Sequence, residues 1–381
     1  MAREHTISRR VVQVLLVSCS VAFVLPFVWL VSTSLKPIEQ TISLPLTFIP
    51  REYTAVLGGR RVEVTLDFQV AQPGTVVRYT SGPDAGKQVF VAAGQAPRGG
   101  DPSVLHSVQA GSWHVTEKTD TALGQGAAAP AWDVLPRSEV ASRIRFRWDN
   151  YPRALAALGG DAEADRHRVG FWTFLGNSLT VAVLGVLGTV LSNAIIAYGF
   201  ARLKWRGRDA FFALTLATMM VPFPVLMVPL YGVFKSLGMI GTLLPLWVPA
   251  WFGSAFNIFL MRQFFRTIPE ELSEAARIDG CSEWRIFWRI IVPLSTPVLV
   301  VAALFHFIFA WNDFLGPLIY LTRKDTYTLA LALASYQSQN GGVQWHYLMA
   351  ASAVTILPVI LLFLLAQKTF IRGIATTGSK G

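Results

Sequence analysis

The chain is 381 residues long, 52% hydrophobic and only 15% charged, with a formal net charge of +10 and a mean hydropathy of +0.45. That balance is foreign to soluble globular domains, and the basic excess does not point to nucleic acid, because Lys and Arg flank long apolar runs instead of forming an aromatic-interleaved patch. Two cysteines, Cys19 and Cys281, are too few and too far apart for a disulfide framework or a metal cluster, and read as small packing residues.

Crossing a bilayer's hydrocarbon takes roughly 20 apolar residues in a helix. Six segments qualify, at approximately 11–34, 172–201, 210–234, 241–262, 296–320 and 347–371. Two signals near the start suggest a cleaved leader: "SRRVV" resembles a twin-arginine motif and "LVSC" a lipoprotein cleavage box. The apolar run continues past Cys19 through "SVAFVLPFVWLV", whereas a leader's apolar core usually ends within about 7–15 residues. A retained first span is therefore expected.

Between the first two spans, Lys36 to Arg168 has nearly balanced acids and bases, which suits a translocated segment. "RVEVTLDFQV", Arg61 to Val70, alternates with Val62, Val64, Leu66, Phe68 and Val70 on one side, the pattern of a half-buried strand. "TVVRYTSGPDAGKQVFVAA" reads as strand, turn, strand. "RIRFRWD" puts Ile144, Phe146 and Trp148 opposite three Arg, and "GQAPRGGDPS" and "ALGQGAAAPA" read as loops. The turn "GPDAGKQ" is no phosphate loop: only three residues separate Gly82 from Gly86, and Gln88 follows Lys87. With no other nucleotide-binding loop, any ATP chemistry must come from a partner. A small β-rich extracytoplasmic module of roughly a hundred residues is expected, large enough for its own core.

Further along, Pro222, Pro224 and Pro229 interrupt the third span, and a kinked span either lines a pathway or simply packs. Asn177, Asn193 and Asn257 are expected in hydrogen bonds between helices rather than on a ligand. Asn312 and Asp313, in "WNDF", stand near the outer end of the fifth span; Asp313 is the only acid in a predicted span, and a structural or gating role is preferred over proton coupling. His306 reads as a packed histidine. Basic residues collect before span 1 (Arg3, Arg9, Arg10), between spans 2 and 3 (Arg202, Lys204, Arg206, Arg208), between spans 4 and 5 (Arg262, Arg266, Arg277, Arg285, Arg289) and after span 6 (Lys368, Arg372). The positive-inside bias puts those loops and both termini in the cytoplasm.

The loop between spans 4 and 5 is the most charged helical-looking stretch of this half: "IPEELSEAARIDGCSEWRIFWRIIVPLSTP". Thr267 is expected to cap a helix with Pro269 in its first turn and Glu270 at its third position. Gly280 is expected to stop it in a left-handed conformation, and Ser282 to open a second helix ending at Pro293. Ala275 and Ala276 are expected to form a small-residue surface that a partner protein can approach, with Glu274 and Arg277 beside it and Trp284, Phe287 and Trp288 adding bulk. An amphipathic helix resting on lipid is the competing reading.

"EAARIDGCSEWRIFWRIIVP" resembles the cytoplasmic signature of ABC importer permeases at Glu274, Ala275, Ala276, Gly280, Ile290, Val292 and Pro293. "GNSLTVAV", "AYGFARLKWRGR", "MMVPFPVLMVPLYGVFKSLG", "AWNDFLGPL" and "FIRGIATTGSKG" are similar to the second permease subunit of the carbohydrate, maltose-type branch. The resemblance covers nearly everything except roughly Arg51 to Arg143. It implies an all-α polytopic membrane protein with the six transmembrane helices of the type I ABC importer permease fold; the β-rich extracytoplasmic insert at about 51–143 between helices 1 and 2, read from the strand patterns, departs from the family. Residues 1–35 would hold the cytoplasmic N-terminus and helix 1, 36–168 the outer loop, 169–372 the permease core with a coupling segment at 267–293, and 373–381 a flexible cytoplasmic tail.

The resemblance further implies that Glu274, Ala275, Ala276, Arg277, Asp279, Gly280, Ile290 and Pro293 couple to an ATPase, with Pro222, Pro224, Asn312 and Asp313 as pathway or gate candidates. The implied partners are a homologous second permease subunit, a dimer of ATP-binding cassette ATPases, an extracytoplasmic sugar-binding protein and the lipid bilayer of a bacterial inner membrane. No cofactor is expected on this chain, since ATP and Mg would sit in the ATPase, and no enzyme activity is expected of it. The rival readings are an ion- or proton-coupled secondary transporter and a membrane-anchored binding or sensor protein using the β insert.

Overall fold

The computed structural model describes residues 2–41, 47–57, 60–69, 74–81, 88–92, 101–108, 112–117, 132–135, 137–159, 169–339 and 344–377. It divides into two compact units, Met1–Asn150 and Tyr151–Gly381.

The first unit opens with helix α1 (Ala2–Ser34), whose apolar segment Val11–Ser34 is long enough to cross a membrane. Its apolar side chains face outward, Phe23 at 85% exposure, as lipid contact requires. Among the described residues eight strands follow: β1 (Arg51–Leu57), β2 (Arg60–Gln69), β3 (Gly74–Tyr79), β4 (Gln88–Ala92), β5 (Pro102–Val108), β6 (Trp113–Glu117), β7 (Trp132–Leu135) and β8 (Ala141–Ile144). They form a five-stranded sheet in the order β7-β6-β2-β1-β8 and a three-stranded sheet in the order β4-β3-β5. The alternation read in β2 buries Val64 with Ala55 and Val115, and Val62 and Leu66 pack around them.

Strand β8 antiparallel to β1 brings the two ends of the strand region together, with Arg51 opposite Ile144. Two expectations need correction. The strand over "RIRFRWD" stops at Ile144, and its apolar side is exposed while Arg147 turns inward onto Glu63 and Arg145 reaches to Glu52. The end of "GQAPRGGDPS" is not loop, since β5 begins at Pro102. The turn 82–87 and the loop 122–131 lie outside the described residues.

The second unit begins with helix α2, Asn150–Ala157 taken over its full extent. Then come α3 (Phe171–Ala201), α4 (Arg208–Ala217), α5 (Phe223–Ser236), α6 (Leu244–Trp247), α7 (Ala255–Thr267), α8 (Glu270–Ile278), α9 (Glu283–Ile286), α10 (Val292–Leu294), α11 (Thr296–Asn312), α12 (Leu315–Tyr320), α13 (Leu329–Gln339) and α14 (Trp345–Thr377). Among the described residues of the chain four helical stretches are long and apolar enough to cross a membrane, and six if each of two bent pairs counts as one. The first pair, Arg208–Met220 with Phe223–Ser236, bends by 100°. Val221 before Pro222 is extended, and Pro222 and Pro224 lack the N–H groups that would continue the helix. The second, Glu283–Leu294 with Thr296–Asn312, bends by 78° at Ser295, just before Pro297.

Three boundaries depart from expectation. The fourth span is broken at Gly253, φ 89°, between a 3-10 turn (Val248–Phe252) and α7. The fifth ends at Asn312 and restarts as α12. Residues Gly373–Thr377, expected as flexible tail, continue α14, and 378–381 lie outside the described residues.

Helix α3 is the centre of this unit. At 31 residues it is about 46 Å long, and a different core forms around each half. Phe174, Val181 and Ala182 pack with Phe307 and Trp311 of α11, Leu329 and Ala332 of α13 and Ala350 and Ala351 of α14. Ala194, Ala197 and Tyr198 pack with Met261, Phe265, Ala276, Ile286, Phe287, Ile291 and Val298.

Small residues on α3 let neighbours approach its backbone. A Cβ on Gly188 would stand 2.4 Å from Trp251 Cδ1, and one on Gly185 would stand 2.3 Å from His306 Nε2. Trp251 is also held by its Nε1–H donating to the Leu184 carbonyl at 3.1 Å. Gly188→Val is therefore expected to destabilise the chain by about 1–3 kcal/mol through overpacking, measured as a lower thermal midpoint in detergent; an unchanged midpoint would contradict this packing.

Candidate functional site

The segment between α7 and α11 is built by local chemistry at each turn. Helix α7 ends at Thr267, whose hydroxyl donates back to the Phe264 carbonyl at 2.7 Å. The expected cap by Thr267 is thus corrected: Ile268 and Pro269 are extended, Pro269 is the N-terminal flank of α8 without a side-chain cap, and Thr267 remains in the preceding helix. The proline imposes extended backbone on the residue before it, leaving Thr267 no geometry from which to reach α8. Glu270 and Glu271 in the first turn of α8 face the positive end of its dipole.

At its other end α8 closes in a Schellman arrangement. Cys281 N–H donates to the Ala276 carbonyl at 2.9 Å and Gly280 N–H to the Arg277 carbonyl at 3.0 Å, with Gly280 at φ 76°. Asp279 is the exposed C-cap. A Cβ on Gly280 would meet nothing within 4 Å, so only the left-handed backbone resists substitution. Gly280→Ala is expected to cost about 1–2 kcal/mol and to reduce transport activity only partly, which an uptake assay checks.

Ser282 then caps α9, accepting from Arg285 N–H at 3.4 Å. The helix continues through a π turn, Phe287–Ile291, into α10.

Burial divides the residues singled out in the sequence. Glu274, Ala275, Arg277 and Asp279 lie on the outer side of α8, whereas Ala276 is buried with Tyr198, Phe265 and Ile286. The two alanines therefore do not form one surface: at 100° per residue they fall on different faces, and only Ala275 is open to a partner. Ile290 is half-buried against the same core, and Pro293 is exposed in the first turn of α10. The sequence reading missed Ile278, 87% exposed at the last turn of α8. Leu272, Trp284 and Trp288 are exposed too, so α8, α9 and the π turn after it carry apolar side chains open to solvent. An apolar residue directly before the Asp-Gly stop was the available signal.

Two clasps hold the segment. Arg202, at the C-terminal end of α3, is buried and donates to the Phe265 carbonyl at 2.7 Å and to the Ile268 carbonyl. Reciprocally, Arg262 of α7 donates to the Phe200 carbonyl at 3.2 Å and lies 3.9 Å over the Phe212 ring. Each arginine satisfies carbonyls at the other helix's end, where the dipole is negative. On the exit side, Glu283 accepts from the Tyr198 hydroxyl and from Arg277 Nε at 2.7 Å.

Arg277 first, and Tyr198 further, hold the Glu283 carboxyl below the usual carboxylate range against the opposing effect of burial. Its contribution to stability is present above the unfolded carboxylate pKa and is lost as pH falls through the depressed value. Both partners are partly exposed, so the contribution is small.

The pathway candidates occupy two separate helix breaks. Pro222 and Pro224 are exposed at the α4–α5 bend. Asn312 donates to the Ile308 carbonyl at 2.8 Å, and Asp313 accepts from Gly316 N–H at 3.1 Å, which makes it a cap for α12. The three asparagines bond within the chain: Asn177 donates to the Asp325 and Tyr327 carbonyls, Asn193 accepts from Ser254 N–H at 2.7 Å, and Asn257 donates to the Ser254 hydroxyl. His306 Nδ1 lies 3.0 Å from the Thr189 hydroxyl. Among the described residues no group of His, Cys, Asp or Glu is arranged to hold a metal ion.

Residues 192–376, which include this whole segment, match the family described as binding-protein-dependent transport system inner membrane component. The arabinooligosaccharides transport system permease protein AraQ of Halalkalibacterium halodurans is 36% identical over 211 residues, covering 55% of this chain and 75% of that protein. The lactose transport system permease protein LacG of Rhizobium radiobacter is 34% identical, covering 53% and 72%. Among solved structures, a chain of a bacterial ABC transporter involved in the import of the acidic polysaccharide alginate aligns with a TM-score of 0.50 at 25% identity, over 62% of this chain and 82% of that one.

Proposed function

Because the chain belongs to the family of binding-protein-dependent transport system inner membrane components, we propose that it forms half of the membrane pathway of an ATP-driven sugar importer. Relatives named for arabinooligosaccharide and lactose transport support the carbohydrate class. The observation that carries the mechanism is the α8 segment. It is short, closed at its end by Gly280, clasped to α3 on both sides, and presents Ile278 outward. Such an element transmits a push, where a flexible loop would absorb it.

In this reading the exposed side of α8, with Glu274, Ala275, Arg277, Asp279 and Ile278, docks on one subunit of an ATPase dimer that holds ATP and Mg. Ile290 and Pro293 join α8 to α11. Closure of the ATPases moves the helices bundled on α3 and alternates access to the pathway. The α4–α5 pair is one crossing and α11 with α12 another, giving six spans in a bacterial inner membrane with α8 to α10 and both termini cytoplasmic and the β strands outside. A homologous second permease completes the pathway and an extracytoplasmic binding protein delivers the sugar.

ATP-driven uptake by the co-purified complex in proteoliposomes tests this. Uptake should persist when the proton gradient is collapsed and should cease without ATP. Asp313 separates the reading from a secondary transporter. As a cap for α12, Asp313→Asn keeps an acceptor and is expected to retain uptake, with Asp313→Ala costing about 1 kcal/mol of local stability. Abolished uptake in Asp313→Asn with assembly intact would favour proton coupling instead.

A further inference from the structure

The end of the β unit leaves a run of large apolar side chains open where water would require them covered. Arg147, 22% exposed, turns inward and pairs with Glu63 at 2.5 Å, while Arg145 stays exposed and reaches at 2.5 Å to Glu52, itself only 11% exposed. The opposite side presents Ile144, Phe146 and Trp148 outward, Trp148 at 66% exposure. A sheet in water turns its apolar side to the core and its charges to solvent, and exposed edge strands carry charge against unwanted pairing. Here Ile144, the last residue of β8, and Phe146 and Trp148 just beyond it stay open, so an apolar medium must meet this strip.

Its position indicates which medium. Arg147 N–H donates to the Leu35 carbonyl at 3.1 Å, and Asn150 Nδ2 donates to the Ser34 and Lys36 carbonyls at 2.8 and 2.9 Å. The strip is thereby pinned to the C-terminal end of α1, which closes at Ser34. Arg145 N–H donates to the Pro50 carbonyl at 3.3 Å, linking the strip to exposed Phe48 and Ile49. Phe48 meets the Trp29 ring edge-on at 5.3 Å. Trp29 lies five residues inside the helix end, about 8 Å along the axis. The five apolar side chains therefore stand at the level where an apolar span leaves the hydrocarbon. Aromatic rings backed by cations are the composition that partitions to that boundary.

We propose that Phe48, Ile49, Ile144, Phe146 and Trp148 form a foot by which the β unit rests on the lipid headgroup and acyl boundary at the C-terminal end of α1. The foot fixes the β unit close to the bilayer surface. It rests on α1 being a membrane span, and is independent of what the chain transports.

The test uses the co-purified transporter in phosphatidylcholine vesicles, in a Cys19→Ser, Cys281→Ser background. An environment-sensitive fluorophore is attached after Phe146→Cys or Trp148→Cys, with Phe23→Cys in α1 and Val56→Cys in β1 as controls. Doxyl-labelled lipid should quench the label at Phe146, Trp148 and Phe23 and leave Val56 unaffected. Quenching at Phe23 alone, with an aqueous emission at Phe146 and Trp148, would overturn the foot. Blue-shifted but unquenched emission at those two positions would overturn it in favour of a covering protein subunit. No quenching at Phe23 would remove the span and the foot together.

Discussion

Ile278→Asp is expected to abolish ATP-driven uptake while leaving the permease folded. The side chain is 87% exposed at the tip of α8 and contributes nothing to the chain's own core. In a docked complex an apolar anchor of this kind is worth about 2–4 kcal/mol, and a buried carboxylate in its place adds an unpaired charge. Affinity for the ATPase should fall roughly 30- to 1,000-fold, read as loss of co-purification and uptake with unchanged thermal stability. Full activity would show that α8 docks on nothing, and would return it to the reading of an amphipathic helix on lipid.

Arg202→Ala is expected to uncouple hydrolysis from transport without detaching the ATPase. Its guanidinium is the donor to the Phe265 and Ile268 carbonyls, at the end of α7 and on the approach to α8. Removing it takes the donor from the Ile268 carbonyl, at about 1–3 kcal/mol, while the Phe265 carbonyl keeps its bond from Ile268 N–H, and the entry to α8 loses its fixed geometry relative to α3. The complex should still co-purify and hydrolyse ATP, but move much less sugar per ATP. Both bonds leave one guanidinium nitrogen, and a lysine ammonium on its different stem reproduces that placement incompletely, so Arg202→Lys should recover only part of the coupling. Equal losses of hydrolysis and uptake, with normal assembly, would reduce Arg202 to an ordinary stability residue.

How the chain is punctuated was legible wherever one residue decides the backbone. Gly280 stops α8 because φ 76° suits glycine, and Ser282 caps α9. Thr267 failed as a cap since Pro269, two residues later, dictates an extended entry. Pro222 and Pro224 announced an interruption but not its 100° bend, which depends on the packing of the helices on either side. Asp313 drew attention as an acid in an apolar run. Its cap to Gly316 N–H shows that the run was two helices.

The candidate site was visible as a segment and hidden as a surface. Ala275 and Ala276 are adjacent in sequence and indistinguishable in composition, and only tertiary packing buries the second. The clasps join residues more than sixty positions apart, such as Arg202 with Phe265 and Tyr198 with Glu283. No local pattern encodes those pairings. Arg202 had been counted for its charge, as a marker of the cytoplasmic side. Its place at a helix C-terminus, where carbonyls go unsatisfied, was the further clue.

The measurement that tests the central claim most directly is sugar uptake per ATP hydrolysed by the co-purified complex in proteoliposomes, with the proton gradient collapsed, comparing the unmodified chain with Ile278→Asp. The account predicts gradient-independent, ATP-driven uptake for the first and none for the second. Uptake that survives Ile278→Asp, or that requires the gradient, would contradict the claim that α8 links this chain to an ATP-driven motor.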